Sequence, residues 1–250
     1  MKQQKVISTI EARMASTRLP GKSMALIVGK PALELLIERL QRAKEVEQII
    51  VATTIQPEDD VIEELCHQLN ISCYRGSSDD VLDRLVRAAE SINGDIIAQI
   101  TGDCIITCPE ITDLAIQTFK TVNCDYLSNL MTQTYPQGVD IRVFRFKDVK
   151  EIADSLAIND QPCREHPYLY FEEHPEKYEI YQLLASPKHF RPEWRLDLDY
   201  EKDLQLLRKV FEDIYPNNPH FNLENLIEYL DNNPELQSIN SGMIRKPLRP

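Results

Sequence analysis

Short apolar runs alternate with stretches in which apolar side chains recur every three or four positions, and this rhythm organises the first half of the chain. Val6–Ile10 reads as a strand. After a loop, Pro31 opens a helix whose apolar stripe is Leu33, Leu36, Ile37 and Leu40. Ile49–Thr53 is a second strand. Pro57 opens a second helix, with Glu58, Asp59 and Asp60 in the first turn, where carboxylates complement the helix dipole, and Ile62, Leu65, Cys66 and Leu69 as its stripe. Ile71–Tyr74 is a third strand, 79–92 a third helix carrying Val81, Leu82, Leu85 and Ala89, and Ile96–Ile100 a fourth strand. Such a βαβαβαβ order predicts an α/β fold with a mainly parallel sheet covered by helices, and ligands at the carboxyl ends of its strands. The second half is less regular. Strands are expected at Ile141–Phe146, Glu179–Leu184 and, briefly, Arg195–Leu198; helices at 109–121, 147–156, 164–174, 200–214 and 223–231. No linker-like stretch interrupts the chain, so one domain is expected over 1–240. A tail over 241–250 follows; from Asn240 onward the Arg, Lys and Pro residues suit a poorly ordered segment or one that reaches a partner.

Charge narrows the function classes. The 250 residues carry 28 Lys and Arg against 40 Asp and Glu, a net charge of −12. A protein whose main business is coating nucleic acid needs a basic face, so the charge argues against that class but not against a small basic pocket for a nucleotide. No apolar run approaches the roughly 18 residues of a membrane span, and the first residues show no signal-peptide pattern. Six scattered cysteines read as reduced, packed thiols. The expectation is a cytoplasmic protein with no membrane or nucleic-acid partner.

Candidate chemistry concentrates after the first strand. Residues 12–24, ARMASTRLPGKSM, place Arg13, Arg18 and Lys22 in an otherwise acidic chain, add the hydroxyls of Ser16 and Thr17, and turn at Pro20-Gly21. Guanidinium forks, a lysine point charge and backbone N–H groups together suit a polyphosphate; the plainer alternative is a basic surface loop. Gly102-Asp103 follows the fourth strand, and the aspartate is either a turn residue or a metal ligand. In RLDLDYEKDL, strand alternation puts Asp197 and Asp199 on one side. Asp199 also suits the N-cap of a helix from Tyr200, with Glu201 and Asp203 serving its dipole. Arg164 and His166, in a segment rich in aromatics (160–178), form a pair suited to an anion or to a dimer interface. Gly138 and Asp140 lie on a loop-to-strand turn that either lines a second substrate or merely turns the chain. His67, His174, His189 and His220 lack a motif context and read as surface residues; Trp194 reads as packing.

RMASTRLPGK resembles the nucleotide-binding signature of the sugar cytidylyltransferases, and the likeness continues in order through VATTIQPEDDVI (51–62), YRGSSDDVLDRL (74–85), ITGDCIITCPEI (100–111), YPQGVDIRVF (135–144), REHPYLYF (164–171) and WRLDLDYEKDLQLL (194–207). The spore-coat-polysaccharide type is the nearest branch, beside the 3-deoxy-manno-octulosonate and acylneuraminate enzymes. The resemblance implies a single GT-A-like (Rossmann-like) nucleotidyltransferase domain with a mixed, mostly parallel sheet flanked by helices. It implies transfer of CMP from CTP to an acidic sugar, sugar-like or phosphonate acceptor, with release of pyrophosphate, for cell-surface polysaccharide, by a homodimer. Mg²⁺ (or Mn²⁺) would be held by Asp103 and Asp199, with Lys22, Arg13 and Asp103 as the catalytic set. CTP would lie against Ala12, Arg13, Met14, Ser16, Arg18, Lys22, Ala52, Thr53, Arg75, Gly76, Ser77, Asp80, Thr101 and Gly102, and the acceptor against Gly138, Asp140, Arg164 and His166. Arg84 is open between surface and phosphate. The chain departs from the branch in GDCIITCP, where Ile105 and Cys108 stand in place of Pro and Asp. A glycosyltransferase using a nucleotide-sugar and a non-catalytic nucleotide-binding scaffold are the alternatives.

Overall fold

In the computed structural model, which describes residues 4–157 and 160–242, the expected rhythm is realised in order. The chain runs through β1 (Val6–Glu11), the small hairpin β2 (Leu26–Ile27) and β3 (Lys30–Pro31), α1 (Ala32–Leu40), β4 (Gln48–Thr54), α2 (Asp60–Gln68), β5 (Ser72–Gly76), α3 (Val81–Ser91), β6 (Ile96–Thr101) and α4 (Pro109–Val122). It continues through β7 (Tyr126–Ser128), β8 (Arg142–Arg145), α5 (Phe146–Ser155), α6 (Gln161–Glu165), α7 (Leu169–Glu173), β9 (Ile180–Gln182), α8 (Glu201–Ile214) and α9 (Leu223–Asn232). The main sheet has seven strands in the order β5-β4-β1-β6-β8-β7-β9. Only β8 runs against its neighbours. β4, β1 and β6 end side by side, with Glu11 in register with Ala52 on one side and Thr101 on the other.

Strand alternation sorts the core onto two faces. Val6 and Ile10 of β1 and Ala98 and Ile100 of β6 join the cluster with Leu33, Leu36, Phe211 and Leu226. Ile7 and Ile97 point the other way, into the cluster with Leu82, Leu85, Val149 and Phe171. On that second face the edge where β1 and β6 end and the antiparallel β8 begins turns polar: Glu11 and Gln99 follow Ile7 and Ile97 along the alternation, and Arg142 precedes Phe144.

Four expectations need correction. The helix over 164–174 is two short helices, because Pro167 has no N–H to donate and disfavours the helical backbone of His166, which sits at φ −127°, ψ 80°. Arg195–Leu198 is extended but makes only an isolated bridge, from Arg195 to Gln137. Helix α8 is capped by Tyr200 rather than Asp199, since the Asp203 carboxylate accepts the Tyr200 N–H at 2.8 Å. Asn240 is not the start of a loose tail: it is 4% exposed and its side chain donates to the Arg195 carbonyl and to Asp203. The rest of the tail, from 243, lies outside the described residues. All six cysteines are free thiols. Among the described residues no helix is long and apolar enough to cross a membrane.

Candidate active site

The loop after β1 folds back on itself, with the N–H groups of Ser16 and Gly21 both donating to the Met14 carbonyl. This leads the chain into a short 3-10 turn at Lys22–Met24. Across from it, β6 ends at Thr101-Gly102-Asp103. Gly102 is required there, because a Cβ would stand 2.9 Å from the Glu11 carbonyl and 3.1 Å from the Ala12 Cβ. The close approach lets the Gly102 N–H donate to the Glu11 carbonyl and brings Asp103 beside the loop. The segment 194–199 is held by backbone bonds from Gln137 to Trp194, from Leu196 to Gln137 and from Leu198 to Asp103. Gly138 permits this crossing: its φ is +97°, and a Cβ there would lie 2.7 Å from the Leu196 backbone.

The two aspartates singled out in the sequence therefore converge. Lys22 Nζ donates to Asp103 Oδ2 at 3.1 Å and to Asp199 Oδ1 at 2.7 Å. Arg18 donates to the other Asp199 oxygen at 2.6 Å. Thr101 Oγ1 donates to Asp103 Oδ1 at 2.5 Å. Burial disfavours the Lys22 ammonium, but Asp103 and Asp199 outweigh it and raise its pKa. Asp203 supports the assembly from behind: fully buried, it accepts from Arg195 Nε and from the Asp199 N–H.

These groups line a cavity of about 580 Å³, within the ordinary size range of small-molecule sites. Of the residues expected to contact ligand, Ala12, Arg13, Ser16, Arg18, Lys22, Thr101, Gly102, Asp103, Asp140, His166 and Asp199 line it. Asp197 does too. Among the described residues the Arg13 guanidinium makes a single hydrogen bond, from Nη1 to the Ser78 carbonyl at 3.4 Å, and so keeps donors for an anion.

Other expected contacts lie elsewhere. Ala52 and Thr53 are fully buried in β4. Met14 donates its N–H to Asp59. Arg75 turns away to Asp60, Glu63 and two carbonyls. Gly76 packs on Tyr74 and Arg84, Ser77 accepts the N–H of Asp80, and Asp80 caps α3. Arg84 is 2% exposed, in the core rather than on the surface. Arg164 is spent on structure. It pairs with Asp80 at 3.0 Å and donates to the carbonyls of Ala153 and Leu156. Arg164→Met should therefore cost about 3 kcal/mol of stability in urea denaturation while leaving the KM for nucleotide unchanged; an unaltered midpoint would refute this role. The aromatics near it are also internal: Phe171 stacks on Tyr126 at 5.1 Å. The replaced positions Ile105 and Cys108 are core residues under α4, where burial pushes the Cys108 thiol up to about 12.

Sequence reading missed Glu11, Arg142, Tyr168 and Glu172, all lining the cavity. Glu11 and Arg142 carry a signal in retrospect, as charged residues at the ends of buried strands. Burial raises the Glu11 pKa against the hydrogen bond from Gln99.

The donor set fits a hard divalent cation. The Lys22 ammonium marks one point from which a cation reaches both Asp103 and Asp199. Among the described residues no group of three or more His, Cys, Asp or Glu forms a metal cage. Two carboxylates leave further positions for phosphate oxygens and water, the usual arrangement for Mg²⁺.

Comparison with known proteins gives this geometry a family. The chain is 36% identical over 249 residues to the uncharacterized protein MJ1063 of Methanocaldococcus jannaschii, covering 98% of each. It is 31% identical over 235 residues to the spore coat polysaccharide biosynthesis protein SpsF of Bacillus subtilis, covering 92% of this chain and 95% of SpsF. Among solved structures, a cytidylyltransferase from Leptospira borgpetersenii superposes with a TM-score of 0.89 at 30% identity, over 97% of this chain and 100% of that one. Residues 7–237 match the family described as Cytidylyltransferase. The basic loop, the paired aspartates and the mixed sheet that joins them are thus those of a member of the cytidylyltransferase family.

Proposed function

We propose that this chain transfers CMP from CTP to a small anionic, sugar-acid-type acceptor and releases pyrophosphate. The observation that carries the reading is the convergence of Lys22 on Asp103 and Asp199 inside a cavity walled by Arg13 and Arg18. An acceptor oxygen attacks the α-phosphorus of CTP in line, and the bond to the bridging oxygen of pyrophosphate breaks. Arg13, Arg18 and Lys22 neutralise the charge that builds on the leaving phosphates. Asp103 and Asp199 would hold Mg²⁺, which supplies further charge neutralisation when bound. The order of events needs no covalent enzyme intermediate. SpsF is named for spore coat polysaccharide biosynthesis; by extension, we assign the product to the supply of activated sugar for a surface polysaccharide, made in the cytoplasm.

Nucleotide-dependent thermal stabilisation tests the reading. A ligand at about 100 times its Kd adds about 2.7 kcal/mol. CTP with Mg²⁺ is expected to raise the Tm more than UTP, ATP or GTP do. A shift confined to UDP and nucleotide-sugars would instead favour a glycosyltransferase, and no shift with any nucleotide would favour a scaffold.

A further inference from the structure

Behind Asp199 lies a second cavity, of about 390 Å³, and among the described residues it shares no wall residue with the first. Arg195 is the partition between them. Its side chain is only 5% exposed. On one side Nη2 lies 3.4 Å from both Asp197 and Asp199, which line the first cavity, and Nε meets Asp203. Nη1 is buried without a hydrogen-bond partner, and Arg195 lines the second cavity. Gln137 lines it too, and its Oε1 is likewise buried and unpartnered. The two residues are partners in the isolated parallel bridge, which sets their side chains next to each other on one face. The backbone of Gln137 is fixed there, donating to the Trp194 carbonyl and accepting the Leu196 N–H. A buried donor and a buried acceptor thus stand side by side, and leaving either unpaired is costly.

This edge defines what fits it. Arg195 Nη1 needs an acceptor, and Gln137 Oε1 needs a donor beside it. A ring carbonyl next to a ring N–H supplies both in one plane. Charge narrows the class further. Asp197, Asp203 and Asp199 already act on the Arg195 charge, and Glu193 adds a carboxylate to the wall, so an anion finds no unmatched cation here. Trp194, Leu196 and Leu206 supply apolar wall for the faces of a ring, and the volume falls in the ordinary range of small-molecule sites.

We propose that this cavity is a second binding site, for a neutral planar lactam of nucleobase size, whose carbonyl accepts from Arg195 Nη1 and whose ring N–H donates to Gln137 Oε1. Its occupant lies one guanidinium away from Asp199. The assignment does not rest on the transfer reaction, and neither does its test. The chain has a single tryptophan, and it lines this cavity, so the indole N–H resonance of Trp194 reports occupancy. The full chain would be titrated with uracil, with and without CTP. Uracil is expected to shift the resonance saturably in both cases. 1,3-Dimethyluracil keeps the ring and its carbonyls but has no N–H, and should bind about 10-fold more weakly, the loss expected when a buried acceptor is left unpaired. Gln137→Met should weaken uracil by a similar factor and leave 1,3-dimethyluracil unchanged. The proposal is overturned if uracil gives no saturable shift, if the two ligands bind alike, or if Gln137→Met binds uracil like the wild type; Arg195 Nη1 and Gln137 Oε1 would then be satisfied by water alone. Should Gln137→Met fail to fold, the ratio of the two ligands on the wild type decides.

Discussion

Asp103→Ala is expected to stay folded and to lose CMP transfer on the order of 10²–10³-fold. The side chain is 22% exposed and lines the cavity, so besides the hydrogen bond from Thr101 the fold loses a partly exposed ion pair, worth about 1 kcal/mol or less. The reaction loses more. Asp103 and Asp199 are the two carboxylates that meet on one cation position, and a single remaining carboxylate cannot hold both a divalent ion and its phosphate ligands in fixed register. Pyrophosphate release at saturating CTP measures the effect. The thermal shift separates its cause: the part of the CTP shift that needs Mg²⁺ should vanish, while the part due to Arg13, Arg18 and Lys22 persists. Wild-type turnover by this variant would remove Asp103 from the reaction.

The stability counterpart lies one layer behind the cavity. Asp203→Ala is expected to lower unfolding stability by about 3–5 kcal/mol, the usual cost of stripping one partner from a buried ion pair. Against a typical total of about 5–15 kcal/mol this is a large fraction. The carboxylate is 0% exposed and accepts from Arg195 Nε, the N–H groups of Asp199 and Tyr200, and the Asn240 amide. Its removal takes the 3.2 Å pair from the buried Arg195 guanidinium, leaving it Asp197 and Asp199 at 3.4 Å, and it uncaps α8 and releases the backbone of Asp199. Asp203→Asn, which keeps one acceptor oxygen, should lose less. Urea denaturation gives the comparison, and a midpoint within the range of a surface substitution would show that Asp203 is only a dipole partner.

Periodicity reads regular elements well, because each depends on near neighbours in the chain. All four early strands and the helices between them stand where the apolar pattern puts them. Short elements escaped it: β7 has three residues and the strands of the β2–β3 hairpin two each, too few to display a period. The single helix read over 164–174 fails at Pro167, which lacks an N–H and disfavours the helical backbone of His166. At the site, the loop 12–22 was legible because Arg13, Arg18 and Lys22 crowd a turn in an acidic chain. Arg164 misled for the same reason. A basic residue beside a histidine looks available, but its partners Asp80, Ala153 and Leu156 come from α3 and the end of α5.

The residue order alone determined the βα alternation and the basic loop after β1, since these are local patterns of hydrophobicity, charge and turn chemistry; Asp103 and Asp199 stood out as a pair only through the family resemblance. Tertiary structure decided which charges are consumed and which remain for a ligand. Lys22 meets Asp199 across 177 positions of sequence and Arg164 meets Asp80 across 84. Pairing at such separations follows from strand order and crossover, not from neighbouring residues. The same packing that occupies Arg75 and Arg164 leaves Arg13 and Arg142 facing the cavity, because only a folded sheet brings the ends of β1, β6 and β8 to one edge.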